Sequence, residues 1–219
     1  MGIDIRAELR RFSKNALGSA QKTLRLTGIE SLAAALIEPI GFEMSRAGNR
    51  FIGGLQVIAS GIAPVAAIPT TTATLALWNG EDSGGKAIAI EQLGFFLGSG
   101  TPAAGATLFA CVSPKKIATA PTSMASGYGL QNASGSTKAS KALFATAVTI
   151  PGSPAWFQVC STQQLAAANV GQGDNVVTLD GKLIVPPGYA AGFAILSGVG
   201  TSPLYGISTV HSEIDADLE

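Results

Sequence analysis

The chain has 219 residues, room for one large all-β domain with an extension or for two small domains. Its formal net charge is zero and only 13% of its residues are charged, which excludes a global electrostatic footprint for nucleic acid. Apolar residues reach 47%, but 27 glycines and 35 alanines make much of that material small; so weakly charged a surface is poorly defended against association, and obligate self-association is the expectation.

The first fifteen residues, MGIDIRAELRRFSKN, are charged and lack the apolar stretch of a secretory signal. Met-Gly opens a myristoylation motif only with Ser or Thr at position 6, where Arg6 stands. Ile5, Leu9, Phe12 and Ala16 fall at helical spacing on one face, with Arg6, Arg10, Arg11 and Lys14 on the others. A basic amphipathic helix with so few apolar anchors suits a partner protein better than a membrane. Glu30–Ile37 reads as a second short helix ended by Pro39. Residues 1–55 are therefore expected to form an arm of short helices rather than a domain. The 30 residues from Phe51 to Gly80 carry no charge, yet Gly53, Gly54, Gly61, Pro64 and Pro69 interrupt any membrane-spanning helix.

From Gln56 the pattern turns to strand. Runs at 56–60, 64–68, 72–78, 86–97, 106–112, 141–150 and 155–160 are divided by turn signals such as Asn79-Gly80, Ser83-Gly84-Gly85 and Pro151-Gly152. Near the carboxyl end, Val176–Leu179 and Lys182–Val185 flank Asp180-Gly181, a strong hairpin signal. Pro186-Pro187-Gly188 then breaks the ladder before two further strands, Tyr189–Leu196 and Leu204–Val210. Eight to ten short strands predict an antiparallel sandwich or barrel over 56–214, with an acidic tail at 215–219. Gly/Ser-rich Ala120–Ser140 is the expected exposed loop, and Gln163–Ala168 suits one helical turn.

Chemistry is sparse. Glu81, Asp82 and Asp180 fall in turn sequences, and Glu91 alone among the carboxylates lies in a strong strand, so a facing carboxylate pair is not expected. His211, the sole histidine, has Glu213 two residues on, an arrangement open to general-base work but more simply a polar strand end. One histidine with Cys111 and Cys160 makes no zinc pattern, and the two cysteines read as buried free thiols. GVGTSP and GQGDN lack the helix and lysine of a phosphate cradle, and Lys115-Lys116 is too small for a nucleic-acid patch. Trp78 and Trp156 read as core or interface anchors. No catalytic residue, cofactor or metal site is expected. Gln92–Gly173 holds four lysines and no acid, while Tyr205–Glu219 holds four acids and no Lys or Arg, so a basic face of one subunit is free to meet an acidic face of another.

The stretch GKLIVPPGYAAGFAILSGVGTSPLYGISTVHSEI, about a sixth of the chain, resembles the jelly-roll domains of tailed-bacteriophage virion proteins, among them head-decoration (cement) proteins and fibre and adaptor modules. The resemblance implies an all-β antiparallel jelly-roll sandwich that forms homotrimers through small apolar faces. It further implies a non-enzymatic virion protein, assembled in the host cytoplasm and placed on the head exterior, with the major capsid protein as partner and neither nucleic acid nor membrane. The arm would dock on the shell through Ile5, Arg6, Leu9, Arg10, Arg11, Phe12 and Lys14. The alternative is a tail or fibre adaptor or a receptor-binding module that uses the 120–140 loop and Tyr128. A cupin-like enzyme on the same fold needs clustered histidines, which the chain lacks.

Overall fold

The computed structural model describes residues 40–102, 105–122, 127–161, 175–198 and 201–215. The arm helix expected at 5–16, the helix at 30–37, the docking residues Ile5 to Lys14 and the turn at 163–168 lie outside the described residues. One short helix, α1 (Ile40–Arg46), precedes ten strands: β1 (Arg50–Leu55), β2 (Thr72–Asn79), β3 (Ala87–Thr101), β4 (Ala106–Val112), β5 (Tyr128–Asn132), β6 (Ala142–Thr149), β7 (Phe157–Ser161), β8 (Asn175–Val185), β9 (Ala190–Ser197) and β10 (Thr201–Ile214). α1 starts directly after Pro39 in sequence and stops at Gly48. There a positive φ of 66° lets Asn49 N–H reach the Met44 carbonyl and Gly48 N–H the Ser45 carbonyl, a Schellman end that turns the chain into β1.

The strands form two antiparallel five-stranded sheets, as the all-β sandwich expectation requires. Sheet A has the order β5-β1-β10-β3-β8 and sheet B the order β6-β2-β9-β4-β7. The pairs β1·β10, β2·β9, β3·β8 and β4·β7 are those of one antiparallel ribbon whose segments alternate between the sheets. β5 and β6 lie in the stretch between β4 and β7 and add one outer strand to each sheet.

Alternation decides which side chains meet between the sheets. Leu75, Leu77, Leu108, Phe193 and Ile195 from sheet B face Ile88, Ile90, Leu93, Phe95 and Ile207 from sheet A, and all are buried. β3 keeps its apolar residues inward although their parity changes, because Glu91 bulges between Ile90 and Gln92. A second, smaller cluster covers the outer side of sheet B. Ala73, Ala76, Ala145 and Ala190 leave shallow ground on which Trp78, Ile117, Leu143 and Trp156 lie. Gly192 belongs to that surface, since a Cβ there would come within 3.0 Å of Cys111 Sγ and Ala73 Cβ.

Several sequence expectations are corrected. Residues 56–60 form no strand but end in a 3-10 turn at Ile58–Ser60, and of 64–68 only Val65 makes a bridge, to Leu196. Pro64 and Pro69 lack the donors that a ladder there needs. β1 begins ahead of the expected domain start at 56, its strand pattern hidden by Gly53-Gly54. Asp180-Gly181 does not close a hairpin. β8 runs through it, because Thr178 pairs with Gln92 and Leu183 with Ile90, leaving four residues opposite Glu91. Both halves of β8 find their partner in β3, so the excess length becomes a bulge instead of a reversal. The 120–140 stretch is not one loop either, since β5 occupies 128–132.

Candidate functional site

The polar groups that the fold gathers lie at the α1 end of sheet A, along the inward edge of β10. Thr209, His211 and Glu213 share the inward face with Tyr205 and Ile207, and each is at most 3% exposed. The three residues have different fates. Glu213 Oε1 accepts from Ser140 Oγ at 2.8 Å and from Lys141 N–H at 3.2 Å, which pins the turn before β6 to the end of sheet A. His211 has no hydrogen-bond partner at Nδ1 or Nε2, and the Thr209 hydroxyl has none. The imidazole stacks on Phe51 with centroids 5.6 Å apart, and burial pushes it down to about 4. The His211–Glu213 couple therefore does not form: the carboxylate is engaged elsewhere, and the ring is sealed from any substrate in solvent.

On the other face of the same strands, the Arg50 guanidinium meets Glu91 Oε2 at 2.7 Å, and Glu91 Oε1 accepts from the Ser212 hydroxyl. The bulge that shifts β3 parity is what presents Glu91 to Arg50. At the rim, Asn49 Oδ1 accepts from both Lys86 Nζ and Lys138 Nζ. Desolvation and the neighbouring Lys86 charge hold the Lys138 ammonium below the usual lysine range. Opposite, Asn79 Nδ2 donates to the carbonyls of Lys86 and Val185, both at 2.9 Å, tying the end of β2 to sheet A.

Other sequence-derived candidates are scattered. Cys111 is buried, Cys160 is half-buried, both are free, and burial pushes each thiol up to about 11, as expected of structural cysteines. Trp78 and Trp156 anchor the cluster outside sheet B, with both indole N–H groups buried and unpartnered. Tyr128, expected in an exposed loop, is 6% exposed and packs on Phe144 at 5.4 Å, its hydroxyl directed to the Tyr205 carbonyl. Glu81 and Asp82 do lie in the turn after β2, where Glu81 N–H bonds Asn79 Oδ1. Among the described residues, no group of three or more His, Cys, Asp and Glu side chains is placed to hold a metal ion, and no helix is long and apolar enough to cross a membrane.

Sequence reasoning missed the outer face of sheet A. Its ladder gives two complete rows, Gln131–Ile52–Val210–Gln92–Thr178 and Gly129–Gly54–Ser208–Gly94–Val176. Neither row contains a charge, and Ile52 and Val176 are 45% and 59% exposed. No family model, curated protein or solved structure matches the chain.

Proposed function

We propose that this chain is a non-enzymatic structural virion protein, a capsid decoration (cement) protein that clamps neighbouring major capsid subunits as a homotrimer on the head exterior. The observation that carries the reading is the strand pairing. A ribbon folded as β1·β10, β2·β9, β3·β8 and β4·β7 and rolled into two sheets supports a jelly roll, an architecture that capsid and lectin domains share. The surface argues the role. His211 is sealed and Glu213 committed, which favours adhesion over catalysis. The outer face of sheet B is covered by the chain's own Trp78 and Trp156, whereas that of sheet A offers two uncharged rows to a second copy. Burial of Tyr128 withdraws the aromatic on which a receptor-binding loop at 120–140 relied, and so favours the cement reading over that alternative.

The test is to mix the protein with capsids that lack it, using the full chain and a chain without residues 1–39. That deletion stops before α1 because Arg50 already belongs to sheet A. The expected outcome is stoichiometric binding of the full chain to heads and at least tenfold weaker binding of the truncated one. Each surface ion pair contributes under about 1 kcal/mol, so high salt should weaken binding only partly. Binding to tails or host cells instead of heads would replace the cement role with the adaptor or receptor-binding one.

A further inference from the structure

His211 sits where neither charge nor hydrogen bonding is served, between two strands of unequal hold. Its ladder neighbours are Phe51 of β1 and Ile90 of β3. β3 pairs with β10 from Ala87 to Thr101, whereas β1 pairs with β10 at five positions only, Arg50 to Gly54. The inward residues of that paired stretch are Phe51 and Gly53, and Ile52 points to the exposed face. Phe51 is thus the one large side chain that these five residues bury, and the ring it lies on is His211.

We propose that protonation of His211 releases β1, together with the edge strand β5 bonded to it, so that the hold of α1 and β1 on the sandwich is acid-sensitive. Neither ring nitrogen has a hydrogen-bond partner, so an imidazolium in that position would have no carboxylate paired with it. On β10, Glu213 is held by Ser140 and Lys141, and Thr209 on the other side is neutral. On β1 and β3, Arg50 and Glu91 pair with each other on the opposite face, and the inward neighbours are Phe51, Ile88 and Ile90. From β5, Tyr128 directs its hydroxyl to Tyr205, and Lys86 and Lys138 at the rim are cations bound to Asn49. Beyond the neutral Thr209 hydroxyl, water is the remaining way to solvate the charge. Opening on the β1 side breaks five ladder positions, against twelve on the β3 side.

The sign follows from linkage. The ring titrates near its ordinary 6.5 when solvated and at about 4 when enclosed, so the open state takes up the proton first. The closed state is therefore fully favoured above 6.5, loses ground as pH falls through that value, and stops losing near 4. Between pH 7 and 4.5 the fraction with β1 open is expected to rise about 60-fold.

The experiment is amide hydrogen exchange of the full chain at pH 7 and pH 4.5, normalised to intrinsic exchange rates, with an NMR titration of the imidazole ring, which is the only one in the protein. Peptides over residues 50–55 and 128–132 should lose about 60-fold in protection at pH 4.5, those over 190–197 less than about threefold, and the ring should titrate near 4. His211→Leu, apolar and without ring nitrogens, should keep the protection of β1 at pH 4.5. A ring titrating near 6.5, a uniform loss across both sheets, or the same loss in His211→Leu would each overturn the proposal. If the leucine variant does not fold, the wild-type titration and the exchange pattern still decide it.

Discussion

Asn79 has no solvent exposure, and each of its side-chain polar atoms is used: the carbonyls of Val185 in sheet A and of Lys86 just before β3 take its Nδ2 hydrogens, and its Oδ1 takes the N–H of Glu81. Its backbone is equally engaged, with Tyr189 O and Gly188 N–H. Removing the amide strands a buried carbonyl at Val185 and a part-buried one at Lys86. Asn79→Ala should therefore cost about 3 kcal/mol in urea unfolding. Asn79→Asp should cost more, since a carboxylate would set acceptor against acceptor. Nothing in the Asn79-Gly80 dipeptide distinguishes this clamp from an ordinary turn residue, because its partners are 7 and 106 positions away. His211 is a similar case. Its presence in a strand was legible, but its burial depends on Phe51, which sits in a segment that strand periodicity does not reveal.

At the scale of elements, legibility followed side-chain alternation. β2, β3, β4, β6 and β9 carry apolar residues in long runs bounded by turn signals and were expected close to where they lie. β1 was not, because Gly53 contributes no side chain to the inward set. Gly53 leaves room for Leu130 and Phe144, which close on it from β5 and β6. β8 misled in the opposite direction: Asp-Gly is a strong local signal, and two partners in β3 outweighed it. β6 holds a further local conflict. Ala147 has φ at +53°, the left-handed region that a Cβ disfavours by roughly 1–2 kcal/mol. Ala147→Gly should thus stabilise the protein by about 1 kcal/mol, or at worst leave it unchanged, against the usual penalty for glycine in a strand. Thermal unfolding of the two proteins side by side checks this.

For the whole molecule, the even composition conceals an uneven surface. Sheet B is roofed by its own tryptophans, and sheet A presents Ile52, Val210 and Val176 among glycines and small polar residues. If that face joins copies, Ile52→Lys with Val176→Lys should convert the oligomer to monomer in sedimentation, with thermal stability of the isolated fold changed by no more than about 1 kcal/mol. A monomeric, soluble parent protein would remove the argument from composition. The low charge was readable in the sequence, whereas the face that uses it was not, since it draws on strands from residue 50 to residue 210. The same long reach governs how the chain can be made. β10 is the middle strand of sheet A, hydrogen-bonded to both β1 and β3. On a ribosome, β1 therefore emerges about 150 residues and β3 about 100 residues before the strand that joins them. Until then β1 and β3 have open edges, a condition under which nascent chains aggregate or wait for a chaperone. Sheet A can therefore close only after β10 has been made, and its two halves wait as separate pieces until then.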